Sequence, residues 1–389
     1  MKKKLLLSLS AIFALASIGH AQNNAQELSP LSVVGSKSNA PTLSSGMKTS
    51  MPTNDIPQSL SIMTSDQIKA QGLKSIGDVI DYTPGVNTSQ GEGHRDAAVI
   101  RGVRTTQDFY RDGIRDDVQY YRPLYNIDQV EVLRGPNALL SGFGGAYGII
   151  NRVSKKGVIG ESFNTVSGSI DTFGETNVQL DSNYEIGEDK AFRINMFGES
   201  LENHRDYYYG DSFGVNPTMK YILGDGSTLD LSYEYLNQER FIDRGIPTGN
   251  NFMPMESLKD YVFADPSQNF STHEAHIFKA VYEHELSDSL TGRFVASHSD
   301  HDKMYQNVYA DISSGLPLVG NPNITPEETI QYQFGLAHKF SPTLGLEIIS
   351  FFKDQMNLAT NRTYPVLIDG QVASVTVMEM EDYAKIKGI

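Results

Sequence analysis

From about residue 161 onward the chain is written in alternating segments: "SFNTVSGSID", "ETNVQLDSNYEI", "KAFRINMFGES", "PTMKYIL", "STLDLSYEYLN", "HEAHIFKAVYEHEL" and "LTGRFVASHSD". A period of two gives a strand two unlike faces. In "LTGRFVASHSD", Leu290, Phe294 and Ala296 stand among polar neighbours. Turns such as "IGEDK" and "LGDGS" separate the segments, while residues 239–270 form a long polar stretch. Short turns at one end and long loops at the other are the pattern of an outer-membrane β-barrel. A soluble β-sandwich alternates in a similar way, so this pattern alone leaves both architectures open.

The N-terminus narrows the choice. Lys2, Lys3 and Lys4 precede the apolar run "LLLSLSAIFALASI", and Gly19 and Ala21 hold the small positions before a cleavage site. This is the layout of a secretory signal peptide, cut between Ala21 and Gln22. The run is too short for an ordinary membrane helix. No later stretch is apolar enough for one, so any membrane span of this exported chain is made of strands. The chain has no Trp but 20 Tyr and 18 Phe, and tyrosine can build an interfacial belt without Trp. The absence of cysteine excludes disulfides, Cys-ligated zinc and iron–sulfur clusters. A net charge of -15 argues against a broad nucleic-acid surface.

Four regions follow: signal peptide 1–21, flexible leader 22–51, a compact mixed domain 52–157, and the strand-rich remainder 158–389. The leader is rich in Ser, Asn, Ala and Pro and buries too little to order itself. Within it "LSPLSVVGS" is a β-prone island able to add a strand to another protein's sheet edge. In the mixed domain "TSDQ" is a capping box from Thr64 to Gln67, with the helix stopping at Gly72. A second helix starts near Ser75, with Ile76, Val79 and Ile80 on one face, and ends at Thr83-Pro84-Gly85. Short strands come next: "AAVIRGV", "DFYRDGI" turning at Arg111-Asp112-Gly113, and "QVEVLRG". Pro136 fits the first turn of a short helix that Gly142 ends.

The stretch "VEVLRGPNALLSGFGGAYGIINRVSKK" (residues 130–156) breaks from strand into glycines and resumes as strand. A dinucleotide loop wants G-x-G-x-x-G between a strand and a long helix, and here a strand follows. A Walker loop lacks its G-K-S or G-K-T. Ser141 is not in a nucleophile elbow. His298 and His301 in "HSDHD" stand three apart, on opposite faces of a strand, which reads as a solvated loop edge rather than a metal site. Glycines in a strand setting mark tight bends and close backbone approach. Gly135, Pro136, Gly142, Gly144 and Gly145 therefore read as packing positions of a domain wedged in a lumen.

The segments "DIPQSLSIMTSDQI", "DVIDYTPGV", "VIRGV", "YRDGI" and "VEVLRGPNALLSGFGGAYGIINRVSKK" resemble, in order and spacing, the plug of TonB-dependent receptors, chiefly the ferric-siderophore branch. The resemblance implies a mixed α/β plug followed by an antiparallel transmembrane β-barrel in the Gram-negative outer membrane. It implies uptake of a ferric siderophore, energised by TonB and its inner-membrane complex. It implies no enzyme activity, no resident cofactor or metal and no nucleic-acid partner. Heme, cobalamin or another metal complex is the alternative cargo, and a non-transporting signalling or adhesion protein the alternative role. "LSPLSVVGS" then sits where that family carries its TonB box, Leu31, Ser32, Val33 and Val34. Arg101 of "IRG" and Arg134 of "LRGP" resemble plug arginines that pair with barrel glutamates. Outward plug loops "GEGHRD", "RTTQDF" and "QYYRP" supply the ligand-contact candidates Arg95, Arg104, Gln107, Tyr120, Tyr121 and Arg122. Arg and Tyr there suit an anionic aromatic iron chelate, such as a catecholate, by charge and stacking. The barrel reads as incomplete: roughly 10–12 strands are legible, against ~22 in plugged transporters, as though the chain were shortened or internally deleted.

Overall fold

The computed structural model describes residues 43–44, 51–52, 59–89, 91–116, 118–135, 145, 147–224, 226–246, 253–262, 265–287, 290–307, 327–341, 344–368 and 371–388. The signal peptide, Leu31, Ser32, Val33 and Val34, and Pro136, Gly142 and Gly144 lie outside the described residues.

β1 (Leu43–Ser44), in the stretch read as leader, pairs with β2 (Met51–Pro52), which straddles the expected boundary with the mixed domain. Strand β3 (Ser59–Thr64) runs into α1 (Ser65–Ala70), where Thr64 and Gln67 close the expected capping box. Helix α2 (Ile76–Asp81) carries a second box, between Ser75 and Asp78. Then come β4 (Val86–Thr88), β5 (Ala98–Ile100), β6 (Val103–Thr105), β7 (Phe109–Arg111), β8 (Ile114–Arg115), β9 (Ile127–Arg134) and β10 (Gly148–Ser154). β4, β5 and β6 form one small sheet, and a second has the order β3-β9-β10-β7-β8, with β10 and β7 parallel. Ile68, Ile76, Val79 and Ile80 of the helices pack against Ile100, Phe109, Val130 and Ile150 of the sheets. Each such side chain contributes about 1.5–3 kcal/mol on burial. This is the mixed α/β domain expected from the sequence.

Of the proposed packing positions, Gly135 makes no close approach, whereas Gly148, which was not among them, does. A Cβ on Gly135 would meet nothing within 4 Å. A Cβ on Gly148, at φ +152, would stand 2.5 Å from the Leu133 carbonyl oxygen and 3.2 Å from Ile100. Gly145 (φ 70) donates its N–H to Asp108 at 2.8 Å.

Among the described residues the remainder is one antiparallel sheet of ten strands in chain order: β11 (Phe163–Ile170), β12 (Thr176–Gly187), β13 (Lys190–Leu201), β14 (Gly210–Gly224), β15 (Ser227–Phe241), β16 (Phe270–Ser287), β17 (Leu290–Gln306), β18 (Glu327–Ser341), β19 (Leu344–Ile368) and β20 (Gln371–Gly388). Among the described residues β11 and β20 do not pair with each other. The turns after β12, β14, β16 and β18 are tight, whereas β13–β14, β15–β16 and β17–β18 are joined by long connections at the opposite end.

The register sorts the alternating residues into rows. Tyr184, Phe192, Met219, Leu231, Ala280, Ala296 and Tyr332 are successive partners across β12 to β18. They form an apolar row in which Tyr184, Leu231 and Tyr332 are exposed. The neighbouring row is Asn183, Arg193, Thr218, Ser232, Lys279, Ser297, Gln331 and Lys353, of which Asn183, Thr218, Gln331 and Lys353 are buried. A soluble sandwich would bury the first row and wet the second. Here the apolar row faces out and the plug packs on the polar row, which is the polarity of a transmembrane barrel wall.

Candidate plug seat and ligand site

The plug is held to the wall by buried charge. Glu234 on β15 is met by Arg111, accepts from Tyr125 Oη at 3.1 Å and accepts from Asn126 Nδ2 at 2.9 Å. Arg111 also donates to Ser154 at 2.8 Å. Asn126 donates in addition to Asn216 Oδ1 at 3.1 Å. Asn216 precedes Pro217, which has no N–H for the ladder, and β14–β15 pairing skips these two residues. The Asn216 amide donates instead to the Tyr233 carbonyl at 2.6 Å. Nearer the tight turns, Lys155 meets Asp181 at 2.9 Å and Lys156 meets Asp230 at 2.7 Å. Lys279 of β16 reaches Asp112.

Arg101 and Arg134 do not take part among the described residues. Arg101 is exposed in the β5–β6 turn at φ 50. Arg134 donates within the plug, to Ser59 at 3.1 Å and the Pro84 carbonyl at 2.8 Å. Among the described residues the plug arginine that pairs with a wall glutamate is Arg111 of "YRDG", the last residue of β7 before a tight turn. That turn was legible, but its partner lies 123 residues away.

Tyr120 and Arg122 also depart from expectation. The Arg122 guanidinium lies 4.2 Å over Phe109, with its side chain 0% exposed. It donates to Asp116 at 3.0 Å, to Asp96 at 3.4 Å and to the carbonyls of Asp116, Val118 and Tyr120. Asp116 also takes Arg152 at 2.5 Å and the Tyr120 hydroxyl at 2.9 Å. Burial pushes the Asp116 carboxyl up, but Arg122 and Arg152 override it and hold it well below the usual carboxylate range. Burial, with Asp116 beside it, pushes Tyr120 up to about 12. Tyr120 and Arg122 are therefore buried in the plug's polar core, not exposed on an outward loop.

Their neighbours do reach the long-loop end. Lys303, near the end of β17, donates to His94 Nδ1 at 2.9 Å and reaches the Gln119 carbonyl. Burial, then Lys303 and Arg95, push the His94 pKa down, so its ring is the neutral acceptor that this bond requires. Arg95 donates to Gln119 at 2.5 Å and pairs with Glu92 at 2.9 Å. Arg104 is half exposed, 4.0 Å from Glu92. Gln107 is exposed and accepts a long bond from Arg115 at 3.5 Å. Arg240 at the end of β15 sits 3.9 Å over the Tyr121 ring. Burial pushes Tyr121 up to about 12, so its hydroxyl stays protonated. Arg95, Arg104 and Tyr121 thus share one rim with Arg240 and Lys303, two wall residues the sequence did not single out. Cations beside protonated phenol suit an anionic aromatic guest.

The "HSDHD" segment is not a loop edge. It lies in β17, where His298 faces out and His301 is buried, 3.0 Å from His273 in a stacked pair.

Residues 52–149 match the family described as TonB-dependent Receptor Plug Domain. The chain is 31% identical over 329 residues to the catecholate siderophore receptor Fiu of Escherichia coli (strain K12), covering 80% of this chain and 42% of that relative. It is 27% identical over 310 residues to the probable TonB-dependent siderophore receptor PiuA of Acinetobacter baumannii, covering 74% of this chain and 41% of that relative. The chain thus spans less than half the length of these curated relatives. The crystal structure of Fiu in its open form matches with a TM-score of 0.69 at 24% identity, over 82% of this chain and 53% of that one. A plug on an antiparallel strand wall is therefore the arrangement this chain shares with known receptor folds.

Proposed function

We propose that this chain, whose residues 52–149 match the plug-domain family and which resembles catecholate receptors over part of their length, is part of a TonB-dependent receptor and binds a ferric siderophore of the catecholate class for import across the outer membrane. The observation that carries the reading is the rim above the seated plug, where Arg95, Arg104 and Tyr121 meet Arg240 and Lys303. A ferric catecholate is anionic and aromatic, and each charge-assisted bond to it is worth about 1.5–3 kcal/mol. Arg104→Ala combined with Tyr121→Ala should weaken binding of a ferric catecholate by tenfold or more, roughly 1.4 kcal/mol per decade. Quenching of tyrosine fluorescence in the detergent-folded chain measures this. An affinity unmoved by the pair, or equal affinity for a neutral iron chelate, would remove the rim as the ligand site.

Energy for import comes in this reading from TonB, paired to Leu31, Ser32, Val33 and Val34 as an added strand. Val33→Pro removes a backbone donor from that pairing. It should abolish iron-55 uptake in siderophore-dependent cells while surface binding stays at the parental level. Uptake equal to the parent's would move the coupling segment elsewhere.

A further inference from the structure

We propose, on the reading of the rim as the ligand site, that Arg205 is a positioning residue for it: without touching the ligand, it holds the plug loop that aims Arg95 and Arg104. Arg205 lies in the long connection between β13 and β14. Its guanidinium pairs with Asp243, in the connection after β15, meeting Oδ2 and reaching Oδ1 at 3.3 Å. It also donates to the Lys259 carbonyl at 2.8 Å and the Tyr261 carbonyl at 3.0 Å, further along that connection. One planar cation with a fork of donors thus gathers three chain segments. The Arg205 and Asp243 side chains are 13% and 7% exposed, so the pair is little screened by solvent.

Asp243 is also where the wall touches the plug's rim loop. Gly91, Glu92 and Gly93 have φ of 62, 56 and 76 in succession. Glycine adopts this left-handed backbone freely, but glutamate seldom does. Such a conformation persists where its surroundings hold it. A Cβ on Gly93 would lie 3.0 Å from Ile242 Cγ2 and 3.1 Å from the Asp243 carbonyl oxygen, so the loop rests directly on these two wall residues. Ile242 is fully buried, and its N–H donates to the Asn269 carbonyl at 3.1 Å. Asn269 fixes one end of this support, and Arg205, through Asp243, fixes the other.

The turn decides where Glu92 points. Its carboxylate lies 2.9 Å from Arg95 and 4.0 Å from Arg104, the two plug arginines of the rim. Arg205 therefore acts on both at a distance. It holds Asp243, Asp243 backs Gly93, and the turn at Gly93 sets one carboxylate between the two arginines.

Amide hydrogen exchange of the detergent-folded full chain, read by mass spectrometry, tests this without ligand. The His94 N–H donates to the Gly91 carbonyl and the Asp96 N–H to the Tyr120 carbonyl, so residues 91–96 carry their own reporters. Arg205→Ala should speed exchange of that segment about tenfold. A role confined to its own surroundings would speed only residues 202–209 and 253–262. Binding of the ferric complex of a tris-catechol, read by tyrosine fluorescence, is the second arm. Arg205→Ala and Gly93→Ala should each weaken it about tenfold, and the double variant scarcely more than either, because both act through one support. Limited proteolysis reports folding. Asp243→Asn, expected to give the same two shifts, replaces Arg205→Ala if that chain does not fold. Parental exchange at residues 91–96, or parental affinity, in a folded variant overturns the proposal. A double variant weakened about a hundredfold does so too, since the two sites would then act independently. A parent chain that does not bind the complex overturns the rim as ligand site instead, and the exchange arm alone then decides whether Arg205 holds the loop.

Discussion

Glu234→Ala is expected to unseat the plug. The substitution leaves Arg111 buried against the wall without its counter-ion and strips Tyr125 and Asn126 of their acceptor. Breaking one side of a buried pair costs about 3–5 kcal/mol, most of it from the orphaned charge. Glu234→Gln keeps one acceptor for Tyr125 and Asn126 and should cost less. Urea unfolding in detergent, with proteolysis of the plug as a second probe, gives the two values. A change below about 1 kcal/mol for Glu234→Ala would place Glu234 among ordinary surface pairs and remove it as the seat.

Asp116→Ala should damage the plug itself to a similar or larger extent. Two buried guanidiniums, Arg122 and Arg152, converge on this one carboxylate, so its loss leaves two like charges facing each other in low dielectric. The effect carries a pH signature. Because the folded-state pKa of Asp116 is depressed, its contribution is fully present above the ordinary aspartate pKa of about 3.9 and is lost as pH falls below that toward the folded value. The parent should lose stability across that acid window, and Asp116→Asn should lack that component. Parallel pH profiles for parent and Asp116→Asn would mean that other groups neutralise the two arginines.

Much of the fold was legible because its cause is local. Thr64 and Gln67 cap α1 with no help from the rest of the chain, and period-two alternation marks β11 to β17 wherever it falls. Ser75 was equally legible, since Asp78 stands three residues on, yet the second box is visible only when aspartate is admitted at that place. Alternation does not say which face is wet. The apolar and polar rows acquire their meaning only from the plug lying on one of them. Burial was the main obstacle at the site. Arg122 sits in a loop segment full of polar residues, and nothing local shows that Asp116, Asp96 and three carbonyls enclose it. Arg111 and Glu234, 123 residues apart, meet only once both domains are built. Gly148 matters because β9 runs back beside it, bringing the Leu133 carbonyl close.

The central claim is that the plug lies on the polar face of a wall whose other face meets lipid. The chain has no tryptophan of its own, so single tryptophans report without background. Phe294 is exposed on the outward row of β17, and Ile277 of β16 faces the plug cavity. In bilayers containing brominated acyl chains, Phe294→Trp should be strongly quenched and Ile277→Trp should not. Quenching of Ile277→Trp, or bright emission from Phe294→Trp in the same bilayers, would mean that the wall is turned the other way or lies outside the membrane.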